Sequence, residues 1–128
     1  MFDRLEIMQM AQSMARHAAL RQTAVTQNIA NADTPGYRAR DAASFAQTYE
    51  ADDAMALRQS RASHLGAEVS ASAKLLVQDG TPSPNGNSVS LEEEMVRAVD
   101  IRREHDLALS IYKSSLGILR NSLGRSGA

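Results

Sequence analysis

The sequence predicts a mainly α protein: long N- and C-terminal helices packed as an antiparallel coiled coil, joined by a middle segment that is extended, short β or irregular. Three observations carry this expectation. A helical stripe runs over residues 5–31 and closes in Asn28-Ile29-Ala30-Asn31-Ala32-Asp33-Thr34-Pro35-Gly36-Tyr37. A second stripe, apolar at every third or fourth position, fills residues 91–123. Residues 37–88 between them show little regular pattern. The chain divides accordingly into 1–34, the N-terminal helix of a core domain; 35–88, an irregular or short-hairpin middle; and 89–128, the C-terminal coiled-coil helix of the same core domain.

In the first stripe, Met8, Ala11, Ala15, Ala18, Val25, Ile29 and Ala32 recur at helical spacing, broken at Gln22. Its small alanines let another helix approach closely. Asn28, Asn31 and Asp33 are weak helix formers, and Pro35 biases Thr34 away from helical geometry, so the helix should end near Ala32. Pro35-Gly36 suits the central positions of a type II turn, with glycine taking the positive φ.

Over residues 38–49 the apolar positions are scattered, and Phe45 and Tyr49 are expected to pin an extended segment onto the helices. Short apolar pieces at Met55, Leu57, Leu65, Val69 and Leu75-Leu76-Val77 suit a brief hairpin. Residues 79–88 are a run of Gly, Pro, Asn and Ser that excludes helix. So long a stretch with so little pattern implies mobility or ordering by partners.

The last stripe is the most regular. Leu91, Met95, Ala98, Arg102, His105, Leu109, Tyr112, Leu116, Leu119 and Leu123 alternate four and three residues, with polar Arg102 and His105 loosening the middle or fixing its register. Ser88 or Ser90 can cap the start, and Ser90-Leu91-Glu92-Glu93 matches a capping box. Residues 89–106 hold six acids against three arginines, whereas residues 107–128 hold Lys113, Arg120 and Arg125 and no acid, a distribution that complements the helix macrodipole. At 1.5 Å per residue the helix is a rod of roughly 50 Å, and a 3.5-residue repeat of that length calls for a coiled-coil partner. Met8, Ala15, Val25, Leu91, Met95, Leu109, Tyr112, Leu116, Leu119 and Leu123 are the expected coiled-coil and interface positions.

At 128 residues the chain is one domain by length. Much of its 43% hydrophobic content is alanine, aromatics are 4% and tryptophan is absent, so few side chains bury large area and stability should depend on neighbouring subunits. A net charge of −1 gives no general attraction to nucleic acid or anionic membrane. The absence of cysteine removes disulfides, thiol catalysis and cysteine metal sites. Residues 1–7 carry acids early and no continuous apolar run, unlike a secretory signal, and no stretch reaches the roughly 20 apolar residues of a membrane span.

Chemistry finds no foothold. His17, His64 and His105 are far apart in sequence and lack paired ligand spacing. Glu92, Glu93 and Glu94 are consecutive on a helix and point in different directions. There is no Gly-x-Ser-x-Gly elbow or glycine-rich phosphate loop, and Arg38 and Arg40 beside Tyr37 are offset by Asp33 and Asp41. No catalytic, cofactor-binding or metal-ligating residue is assigned, no cofactor is expected, and neither nucleic acid nor a small-molecule substrate is an expected partner.

The ten-residue string from Asn28 to Tyr37 resembles the N-terminal signature of the axial proteins of the bacterial flagellum, the rod, hook and hook-associated proteins. Arg61-Ala62-Ser63-His64-Leu65 and Gly86-Asn87-Ser88-Val89-Ser90-Leu91-Glu92-Glu93-Glu94-Met95 narrow the resemblance to its proximal rod branch, and the likeness covers nearly the whole chain. The resemblance implies a structural subunit that leaves the cell interior through the flagellar type III apparatus, stacks helically in the periplasm and passes motor torque to the hook. It also implies other copies of the chain, other rod proteins, and export-gate and rod-base adaptor proteins as partners. It makes Asn28, Ile29, Ala30, Asn31, Thr34, Pro35, Gly36 and Tyr37 an assembly motif. The competing reading is a cytoplasmic helical adaptor or export chaperone that holds clients with its C-terminal helix.

Overall fold

A computed structural model describes residues 2–54 and 73–124. Its elements are α1 (Phe2–Ala30), β1 (Arg40–Ala42), α2 (Phe45–Ala54), β2 (Leu75–Val77) and α3 (Leu91–Gly124). At 1.5 Å per residue, α1 is about 43 Å long and α3 about 51 Å. They run antiparallel: Asn28 meets Glu94 and, further down the pair, Arg21 meets Glu104.

The seam between them is narrow and built from small side chains. On α1 the buried Ala11, Ala18 and Val25 recur every seven residues; on α3 so do Glu94, Ile101, Ala108 and Ser115. This is the heptad period of a coiled coil. Its apolar centre is Ala18, Val25 and Ile101, with Ala98 packed against them. The stripe read from hydropathy straddles this seam rather than coinciding with it. Ala98, His105, Tyr112 and Leu119 flank it half-buried, whereas Leu91, Met95, Arg102, Leu109 and Leu123 are exposed and Leu116 is half-buried. The physical reason is side-chain size. Alanine and serine at Ala18, Ala108 and Ser115 bring the backbones together, which leaves the larger side chains on the outside.

One expectation for the middle needs correction. Residues 45–54 form α2 rather than an extended segment. Ser44 caps it, accepting from Gln47 N at 3.3 Å through Oγ and from Thr48 N at 3.1 Å through its carbonyl, and Phe45 and Tyr49 pair one turn apart with ring centroids 5.6 Å apart. Leu75–Val77 form the short strand β2, which pairs with β1: Arg40 faces Val77, Asp41 faces Leu76 and Ala42 faces Leu75, antiparallel. Met55, Leu57, Leu65, Val69 and the stretch Arg61-Ala62-Ser63-His64-Leu65 lie outside the described residues. Phe45 does touch α1, standing edge-on to His17 at 5.7 Å, while the His17 Nε2 donates to the Ala43 carbonyl at 2.8 Å.

Truncating Ile101→Ala should lower the stability of the helix pair by about 2–4 kcal/mol, because the small residues around it cannot collapse into the cavity. Urea unfolding followed by circular dichroism at 222 nm measures this, and an unchanged midpoint would place the apolar centre elsewhere.

Candidate functional site: the polar junction at the helix turn

The end of α1, the following turn and the start of α3 converge on one side chain. Asn28 is fully buried, with every hydrogen-bonding position of its amide used. Its Nδ2 donates to the Arg40 carbonyl at 2.8 Å and to Glu94 Oε2 at 3.1 Å. Its Oδ1 accepts from the Tyr37 hydroxyl at 3.1 Å and from Arg40 N at 3.0 Å. One amide therefore ties α1 to the turn, to β1 and to α3.

Charge continues the network from there. The buried Glu94 carboxylate pairs with Arg97, which also reaches Asp41 Oδ2 at 3.5 Å. The buried Asp41 takes Arg21 in a two-pronged contact at 3.0 and 3.1 Å, and Arg21 extends to Glu104 at 3.1 Å. The hydrogen bonds to Asp41 raise the Arg21 guanidinium above its ordinary value; burial opposes that, and the attraction of Asp41 and Glu104 adds to it. Arg21 is thus a permanent cation holding a buried acid. Such networks fix geometry more than they add stability, but removing one partner strands a buried charge.

The turn itself follows the sequence expectation. Helix α1 stops at Ala30, two residues before the expected end. Tyr37 N donates back to the Thr34 carbonyl at 3.3 Å across Pro35-Gly36, and Gly36 has φ +74°. These are the features of a type II turn.

A second clamp, which the sequence reading did not assign, closes the junction. Asn87 is buried, and its Nδ2 lies 2.9, 2.9 and 2.8 Å from the carbonyls of Asn31, Ala32 and Thr34, which share its two N–H donors. These carbonyls belong to the turn that follows α1; those of Asn31 and Thr34 also accept from Thr34 N and Tyr37 N. Around it, Gly36 N donates to the Asn85 carbonyl at 3.0 Å, Ser88 N to the Tyr37 carbonyl at 3.0 Å, and Ala39 N to Ser88 Oγ at 2.9 Å. Ser88 is therefore engaged with the turn. A Cβ on Gly86 (φ +82°) would stand 3.3 Å from Gly36 Cα, so two glycines permit the two loops to touch. The signal for this clamp was the turn-forming Asn85-Gly86-Asn87, but nothing in the sequence says which carbonyls Asn87 reaches.

Of the motif, then, Asn28 is buried, Asn31 and Tyr37 are half-buried, and Ile29, Ala30, Thr34, Pro35 and Gly36 face outward. Asn31 also braces the turn locally, its Oδ1 accepting from Thr34 Oγ1 at 3.2 Å. Among the described residues, no group of three or more His, Cys, Asp or Glu side chains is placed to hold a metal, and no helix is long and apolar enough to cross a membrane. A shallow apolar groove of about 500 Å³ lies between α1 and α3, lined by Ala18, Ala19, Gln22, Ala98, Ile101 and His105, among others.

Two long helices clamped at one end, with the bulk of their larger apolar residues outside, define a structural subunit rather than a self-contained globule. Residues 8–38 match the family of flagella basal body rod proteins. The protein is 32% identical to the flagellar basal body rod protein FlgB of Agrobacterium fabrum over 117 residues, covering 86% of this chain and 87% of that one. It is 32% identical to FlgB of Salmonella typhimurium, covering 96% and 97%, and 29% identical to FlgB of Escherichia coli over the same shares. The chain belongs to the FlgB family of flagellar basal body rod proteins. It is a structural subunit of the rod, and the adaptor or chaperone reading is not favoured.

Replacing Gly36 with Val should cost about 1–3 kcal/mol from backbone strain alone, since no atom lies within 4 Å of the added Cβ. Asn87→Ala should cost about 1–3 kcal/mol by removing the buried amide that holds the Asn31, Ala32 and Thr34 carbonyls. Both are read from urea unfolding. Equal stability of Gly36→Val and the native chain would contradict the positive φ.

Proposed function

We propose that this chain is a subunit of the proximal rod, in the part of the drive shaft that carries motor torque toward the hook, and that it performs no catalysis. The observation that carries this reading is the amount of apolar side chain on the outside of the helix pair: Leu5, Ile7 and Met10 on α1, and Leu91, Met95, Val96, Val99, Leu107 and Ile118 on α3. Surface of this kind on a long thin subunit is covered by other chains. The partners are further copies of the chain, other rod proteins, and the export-gate and rod-base adaptor proteins beneath them. The protein reaches the rod through the flagellar type III apparatus.

The assembly motif from Asn28 to Tyr37 acts by shaping the subunit end, its buried members holding the turn while Ile29 and Pro35 face neighbours. Met8, Ala15, Val25, Leu91, Met95, Leu109, Tyr112, Leu116, Leu119 and Leu123 divide between the internal seam and contacts to adjacent subunits. Residues 1–34 and 89–128 form one core domain, with 35–88 as its side branch.

Fractionation of flagellated cells tests the assignment: the protein should co-purify with basal bodies, and purely cytosolic recovery would reject it. Leu116→Glu or Leu119→Glu should abolish incorporation and swimming, because an unpaired charge is not tolerated between packed helices. Normal swimming by either variant would remove that residue from the interface.

A further inference from the structure

The loop that carries the Asn87 clamp opens with a dipeptide whose two halves can react with each other. Asn85 is the one asparagine of the chain that is followed by glycine, and it is exposed. Gly86 has no Cβ to hinder its main-chain nitrogen, which can therefore attack the Asn85 side chain and close a five-membered imide. In that step Gly86 N gives its proton to solvent base and bonds to Asn85 Cγ, while the Cγ–Nδ2 bond breaks and Nδ2 leaves as ammonia. Water then opens the ring. Cleavage of the new N–Cγ bond gives aspartate. Cleavage of the original peptide bond gives isoaspartate, with the main chain rerouted through Cβ and Cγ.

The fold holds these atoms apart. Residues 83–86 make a β-turn in which Gly86 N donates to the Ser83 carbonyl at 2.8 Å, and Ser83 N donates to the Asn87 carbonyl at 2.8 Å. Pro84 and Asn85 are its central residues. Asn85 does not have a positive φ, so the turn is type I, with the Asn85 ψ near about 0°. Ring closure needs Asn85 Cβ to eclipse Gly86 N about the Cα–C bond, and that ψ does not bring them together. Rotating into place would break the Gly86 N bond to Ser83. It would also break the Asn85 carbonyl's bond from Gly36 N at 3.0 Å and the Oδ1 bond from Asn87 N at 3.0 Å. The proton that must leave Gly86 N is the one the Ser83 carbonyl holds.

We propose that Asn85 is a self-modification site that the closed junction shuts off. The unfolded chain converts Asn85 to aspartate and isoaspartate, the folded chain does not, and isoaspartate then keeps the junction from closing. Isoaspartate lengthens the loop by one methylene and turns the carbonyl that serves Gly36 N into a pendant carboxylate, so Gly86 loses its close approach to Gly36. Aspartate keeps an oxygen for Asn87 N and the normal main chain, and is tolerated. Time spent unfolded therefore decides how much of the protein can still form its junction. The chemistry is independent of the rod assignment.

Isolated basal bodies are aged beside the same chain unfolded in guanidinium chloride, at equal pH and temperature. Mass-spectrometric sequencing of the tryptic peptide of residues 75–97, which holds both Asn85 and Asn87, locates each product. Position must be read because Asp79-Gly80, in the same peptide, isomerises without losing ammonia. In denaturant Asn85 should convert faster than Asn87, and Gly86→Ala, measured only there, should slow it. In basal bodies conversion of Asn85 should be slower by about tenfold or more, since it must wait for local opening. Isoaspartate chains separated from the aged sample should show a lower urea midpoint than the native chain, with Asn85→Asp close to native. Equal conversion in basal bodies and denaturant overturns the protection. No preference for Asn85 over Asn87 in denaturant overturns the site. A native midpoint for the isoaspartate chain, or an equal loss in Asn85→Asp, overturns the effect on the junction.

Discussion

The subunit is organised around a single buried amide. A side-chain amide removed from water is costly unless its donors and acceptors are all used, and Asn28 uses them all within one arrangement of α1, the turn, β1 and α3. Sliding α3 along α1 by one turn would separate Glu94 from Asn28 and leave one buried N–H of Asn28 and Glu94 Oε2 without each other. The amide therefore sets the register that an alanine-lined seam specifies only weakly, since one small residue fits against an alanine nearly as well as another.

From that register the rest follows. The Arg21, Asp41, Arg97 and Glu94 chain extends the lock along about two turns of α1, and the Asn87 clamp stops α1 and sends α3 off in the opposite direction. With the backbones held close, the buried apolar side chains of the two helices are alanine, valine and one isoleucine, and the larger apolar side chains are displaced outward. A thin internal seam and a greasy exterior are two consequences of the same close approach. The exterior is what makes the molecule a building unit, consistent with its place among rod proteins.

The architecture was legible because long amphipathic periodicity and the Thr34-Pro35-Gly36 stop are local signals. The turn, its positive φ at Gly36 and the start of α3 at Leu91 all appear where the sequence places them. The seam was less legible. Hydropathy weighs leucine above alanine and places no value on a buried glutamate, so Leu91, Met95 and Leu109 drew the stripe away from Glu94, Ile101, Ala108 and Ser115. Helix α2 was missed although Ser44-Phe45-Ala46-Gln47 is a capping-box pattern, because the scattered apolar residues around it suggested extended chain. Asn28 was identified by resemblance and as a weak helix former. Its partners Glu94 and Arg40, and the reach of Asn87 to carbonyls more than fifty residues earlier, are long-range contacts to which no local pattern points.

A double-mutant cycle between Asn28 and Glu94 tests this account most directly, using Asn28→Ala, Glu94→Ala and the double variant in urea unfolding followed by helix content. If the amide and the carboxylate lock the register together, the two losses should be non-additive by about 1 kcal/mol or more, with the second truncation costing little once the first is made. Losses that simply add would mean that the two side chains are stabilised independently, and that something other than this junction holds the helices in place.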